Sequence, residues 1–277
     1  MLTMFKRLAS LIPTPATNKV TLFVSDTGIP SYKDDAGLVT PMSGQPIPAG
    51  YIDGLKMEWV SGTQIRFTSG SAYIPSLGRA LALAAAITKS PSLAASTWYH
   101  AYLYSNGGTP DVEVTITAPD TPYSGTARTK TGDTSRRYIG SFRTDPSGTI
   151  AKFKHNISNG YVAYLAIRDL SLNAGAQITT TTVSLSATIP VTSVAAALII
   201  SLDASGASLF TGNSEMPVTA LASNNFLGYT ESSTQVSVSR MDGHPVDSSQ
   251  AISYRLSATP SAGTGAYIRV MGYSYER

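Results

Sequence analysis

Hydrophobic and polar positions alternate with period two in short runs along most of the chain, and turn residues break nearly every run. Val20, Leu22 and Val24 alternate with Thr21 and Phe23, and Trp98, His100, Tyr102 and Tyr104 alternate with Tyr99, Ala101 and Leu103. Further runs follow at Asp111–Ala118, Arg136–Thr144 and Ile150–His155, and again from Val162, Thr179, Val194, Gln235, Gln250 and Ala266. Strand-sized runs separated by Gly, Pro, Asn or Asp predict an all-β protein of antiparallel, sandwich-like sheets.

Only the first twelve residues carry a different period. Met1, Phe5, Leu8 and Ile12 recur at helical spacing, with Lys6 and Arg7 off the stripe, until Pro13 and Pro15 end the pattern. A helix this short is marginal alone. The segment is either a frayed terminus or an anchor, helical or extended, that is ordered by docking on a partner or on symmetry copies. Residues 18–41 read as a small meander with turns at Asp26-Thr27-Gly28 and Asp35-Ala36-Gly37. These acidic turns lack the run of oxygen ligands closed by a Glu that a calcium loop needs.

The Pro/Gly stretch 42–50 marks a first boundary, and Asn156–Gly160 marks a second. The expected organisation is an N-terminal anchor with meander over 1–45, a first β-sandwich over 46–158 and a second over 159–277.

Composition narrows the function. Charged residues are only 13% of the 277, and the net charge of +3 is scattered. A phosphate-tracking surface would show a basic stripe with interleaved aromatics, so no nucleic-acid partner is expected. No run approaches the roughly 18 apolar residues needed to span a membrane, and the N-terminus has no uninterrupted apolar core of a secretory signal. The absence of cysteine removes disulfides, thiolate metal sites and a thiol nucleophile.

Catalytic patterns are equally thin. His100, His155 and His244 are all more than forty residues apart, without metal-ligand spacing. No Gly-x-Ser-x-Gly elbow occurs in a strand–helix setting. The acid pairs Asp111 with Glu113, and Asp203 with Glu215, have no signature beyond being carboxylates. No catalytic, metal or cofactor residue is therefore assigned. The sharpest polar group is Asp133, Arg136 and Arg137, either a solvated hairpin tip or a contact between subunits that fixes register. Tyr229, Tyr254, Tyr267, Tyr273 and Tyr275 are candidates for stacking on a host glycan, or ordinary sheet packing.

The run Ala118–Phe153, above all Tyr123–Phe142 (YSGTARTKTGDTSRRYIGSF), resembles a segment of β-rich fibre and fibre-attachment proteins of tailed bacteriophages. Lys19–Thr40, Tyr51–Pro75 with Thr97–Tyr104, and the closing Gln250–Ala258 and Tyr267–Arg277 are similar to other parts of such proteins. The resemblance implies a structural virion component of tail, neck or capsid, commonly a homotrimer, made in the bacterial cytoplasm and anchored by its N-terminus. Its other expected partners are virion proteins and a host receptor or glycan.

Overall fold

The structure is a computed structural model that describes every residue except 1–5, 27, 43–46, 159, 166–168, 205, 217–225, 233–235 and 262–263. The protein is all-β. Among the described residues the only helical turns are two single 3-10 turns, Ala9–Leu11 and Pro75–Leu77. The chain divides into two compact units, residues 1–48 and 49–277, beside the Pro/Gly stretch.

The first unit is one four-stranded sheet in the order Lys6–Arg7, Thr21–Ser25, Pro30–Lys33 and Val39–Pro41. The first pair is parallel, with Lys6 opposite Val24, and the rest are antiparallel. Of the two conformations expected for the N-terminal segment, the described part takes the extended one: Lys6 and Arg7 pair as a strand, and the turn after them is a single 3-10 turn. Pro13 and Pro15 leave too few residues to offset helix nucleation, whereas the backbone of Val24 and Ser25 offers ready partners.

Among the described residues the second unit holds four sheets. The largest has nine strands, in the order Ile87–Lys89, Ile65–Phe67, Met57–Trp59, Phe153–Asn156, Tyr161–Tyr164, Gly265–Tyr275, Ser193–Asp203 and Ser237–Pro245. Leu170–Gly175 shares an edge of Gly265–Tyr275 with Tyr161–Tyr164. The seam expected at residues 156–160 is therefore a turn between two paired strands of one sheet. One contiguous core runs from Leu55 to Tyr275 and does not divide there. A four-stranded sheet centred on Trp98–Asn106 and Asp133–Arg143 packs on a three-stranded one built from Ile52–Gly54, Gly70–Ile74 and Arg79–Leu83. A second four-stranded sheet, centred on Ala207–Gly212 and Ala251–Leu256, lies along Ser193–Asp203.

Two bulges set which residues face the core. In Gly265–Tyr275 the pairing passes from Leu198 opposite Val270 to Ala197 opposite Gly272, so Met271 is an extra residue. Ala266, Ile268 and Val270 point inward before it, and Tyr273 and Tyr275 after it. Without the extra residue, strict alternation would turn both tyrosines away from the core. Ile139 plays the same part between Tyr102 opposite Tyr138 and Ala101 opposite Gly140. Gly140 must lack a side chain, because a Cβ there would meet Met57 Sδ at 2.7 Å and the Tyr275 hydroxyl at 2.9 Å.

Candidate functional site

Met1 and Phe5 lie outside the described residues. Leu8 is 51% exposed and Ile12 only 7%, so the described half of the stripe does not form one face. Ile12, Phe23 and Ser31 are buried, and Lys33 Nζ donates to the Ile12 carbonyl at 2.8 Å. The opposite face of the sheet carries Leu22, with Tyr32 and Thr40 as its cross-strand partners. Val20, two residues earlier on the same side, is exposed, as are Leu11, Leu38 and Met42. Ile12 and Phe23 are the only buried apolar residues of this unit among those described. Large apolar side chains are thus mostly outside, the reverse of a finished core.

Asp133, Arg136 and Arg137 do not form one group: Asp133 and Arg136 lie near the surface, and Arg137 is buried. Asp133 Oδ1 accepts from the Ser135 backbone N–H at 2.9 Å and from its hydroxyl at 2.6 Å. Arg136 bonds Glu113 at 2.7 Å and lies 4.0 Å over the Tyr104 ring. Its Nη1 reaches Asp133 at 3.8 Å. Arg137 points the other way and is fully buried, so within this fold it is no surface contact. Its guanidinium donates to the backbone carbonyls of Tyr138, Arg128 and Gly50. Burial without a carboxylate lowers its pKa to about 10, which still leaves it charged at neutral pH.

The histidines are packing groups. His155 Nδ1 accepts from the Met57 N–H at 3.1 Å, so its other nitrogen carries the proton and faces the Tyr275 hydroxyl at 3.4 Å. His100 Nδ1 meets Ser141 Oγ at 2.7 Å, and Ser141 Oγ in turn meets the Tyr138 hydroxyl at 2.8 Å. Desolvation lowers His100 to about 4 and, with help from Arg277 and Lys56, His155 to about 3. Both are neutral near pH 7 and buried. Tyr254, Tyr273 and Tyr275 are buried, which removes them as glycan platforms. Tyr267 is half-buried, and Tyr229 is exposed with its hydroxyl bonded to Glu231.

The acid pairs do not make a hydrolytic site. Burial opposes the charge of Asp111 and Glu113, but Lys89 on the first, and Lys130 with Arg136 on the second, outweigh it and lower both pKa values. A general acid needs the opposite shift. Asp203 closes a strand and Glu215 lies in the exposed turn after Asn213. No cluster of three metal-ligating side chains occurs among the described residues.

One concave feature of the second unit is a cavity of about 430 Å³. Segments 96–98, 143–146, 169–171 and 184–188 line it. Arg143, almost wholly buried, forms an ion pair with Asp169, and its Nη1 donates to the Ala187 carbonyl at 2.6 Å. Trp98 contributes its indole, whose N–H is spent on the Ser186 carbonyl at 3.0 Å. No motif announces this site, because its residues come from four segments that only the fold assembles. No family model matches the chain, and no curated protein is significantly similar to it.

Proposed function

We propose that the protein is a structural, non-catalytic component of a tailed-phage virion, a fibre or fibre adaptor that attaches through its first unit. The observation that carries this reading is the sheet of residues 6–41, which buries two apolar side chains and leaves Leu8, Leu11, Val20, Leu22, Leu38 and Met42 more than half exposed. Burying such a side chain against a partner contributes about 1.5–3 kcal/mol, so exposed apolar surface of this kind is stabilised by assembly. The likeness of Tyr123–Phe142 to fibre-attachment segments supplies the context, and the packed histidines and paired carboxylates supply no competing chemistry.

The test uses the full chain with Val20→Asp and Leu22→Asp together. The wild-type protein is expected to be a trimer by light scattering; the variant is expected to keep its circular dichroism and its main melting transition, lose that trimer, and fail to enter particles. A wild-type protein that stays monomeric at micromolar concentration, or a variant incorporated at normal occupancy, overturns the reading.

A further inference from the structure

Basic residues are scattered along the chain, yet the nine-stranded sheet gathers four of them in one place. Arg66 stands opposite Glu58, and Glu58 opposite Lys154. Lys56 and Lys154 line a hollow of about 280 Å³ with Glu58, Trp59 and Arg66. Lys152 Nζ lies 5.0 Å over the Trp59 ring. Four cations against one carboxylate leave a local excess of +3, equal to the net charge of the whole chain. Glu58 is already shared between Arg66 and Lys56. Lys152 and Lys154 are exposed, and among the described residues neither enters an ion pair. A second hollow of about 520 Å³ shares Lys56 and Lys154 and adds Ile157, Tyr161, Ala163 and Leu165. Ala163 stands opposite Lys154, and Gly272 opposite Ala163, so the floor beside the lysines is low. Leu165 is 55% exposed.

This juxtaposition selects among partners. A small anion finds no single point of convergence, because the cations spread over three strands spaced about 4.8 Å apart. A single-stranded nucleic acid needs a succession of open aromatic faces. Here Trp59 is covered by Lys152, and the larger hollow offers only Tyr161 among aliphatic side chains. A purely apolar segment would strip water from the lysines and return no charge to them. An extended polypeptide with interleaved carboxylates and aliphatic side chains satisfies both halves. Its carboxylates meet Lys152 and Lys154, and its aliphatic groups cover Ile157, Ala163 and Leu165. We propose that this face docks an acidic segment of a partner polypeptide that carries interleaved aliphatic side chains. The surface belongs to the second unit, and the inference does not rest on the assembly role of the first.

The probe is a rhodamine-labelled octapeptide of alternating glutamate and leucine, titrated with the full-length protein and followed by fluorescence anisotropy. Octapeptides of alternating lysine and leucine and of alternating glutamine and leucine, and an oligodeoxythymidylate of similar length, are the comparisons. The expected result is saturable binding of the acidic peptide, with Kd on the order of 100 μM, and binding of every comparison at least about tenfold weaker. Raising sodium chloride from about 0.05 to about 0.5 M should weaken it several-fold, since the charges are exposed. Lys152→Gln and Lys154→Gln together should weaken binding at least about tenfold, and Leu165→Ser about tenfold. All three side chains are exposed, so both variants should keep the wild-type circular dichroism and melting. No saturable binding, equal binding of either comparison peptide, or binding that survives either variant overturns the proposal. Tighter binding of the oligodeoxythymidylate also overturns it and assigns the face to nucleic acid. The protein with Val20→Asp and Leu22→Asp should bind the acidic peptide as the wild type does, which keeps this outcome distinct from that of the assembly test.

Discussion

The two units solve the burial problem in opposite ways. In residues 49–277 the apolar residues are gathered into one core that several sheets share, and among the described residues the large apolar side chains more than half exposed are Ile116, Leu165 and the pair Val236 and Val238. In residues 1–48 the core is Ile12 and Phe23, and most other large apolar side chains face outward. A segment of this size rarely buries enough surface to stand alone. The larger unit therefore has the means to be stable by itself, whereas the smaller one leaves most of its described large apolar side chains exposed.

The sharpest way to break this comparison is a matched pair of truncations. Leu198→Ala, in the core, should cost about 2–5 kcal/mol in chemical denaturation. Leu22→Ala, on the open sheet face, should change the main transition by no more than about 0.5 kcal/mol. An equal loss from both would mean that Leu22 is packed in the free protein.

Acid should separate the units next, because His100, His155 and His244 all lie in the larger one. All three have pKa values lowered by burial, His100 to about 4 and His155 to about 3. The unfolded chain takes up protons below about pH 6.5 while the folded chain does not. Stability is thus complete above that pH and falls as pH drops towards 4, by up to about 1.4 kcal/mol per pH unit per histidine. Melting temperatures measured from pH 7 to 4 should fall accordingly, and His155→Gln should flatten the profile. A profile level down to pH 5 would show that the histidines are hydrated.

The smallest expected effect concerns Arg136. Its contacts with Glu113 and Tyr104 lie near the surface, so Arg136→Ala should cost under about 1 kcal/mol in the isolated chain. A much larger effect on light-scattering mass than on melting would place Arg136 at a contact between subunits.

Much of this was legible in residue order, and the limits are instructive. Alternation in Trp98–Asn106 shows a strand, and consecutive buried residues from Tyr99 to Leu103 show that both of its faces are covered. The Pro/Gly stretch 42–50 marks the neighbourhood in which the chain divides, because those residues resist both helix and ladder. The helical period of the first twelve residues does not carry into the described part, where Lys6 and Arg7 pair as a strand with Val24 and Ser25. Arg137 was unreadable as a core residue, because its three carbonyl acceptors come from Gly50, Arg128 and Tyr138.

The sequence by itself determined the all-β class and many of the turns, because period-two patterning and turn chemistry are local properties. Only the tertiary structure decided that residues 49–277 share one core, that Met271 and Ile139 bulge so that Tyr273, Tyr275 and Tyr138 face inward, and that Trp98, Arg143, Asp169 and Ser171 meet around a cavity. Strand partners are chosen across long stretches of chain by which edges and faces fit, and a one-residue slip reverses every side chain.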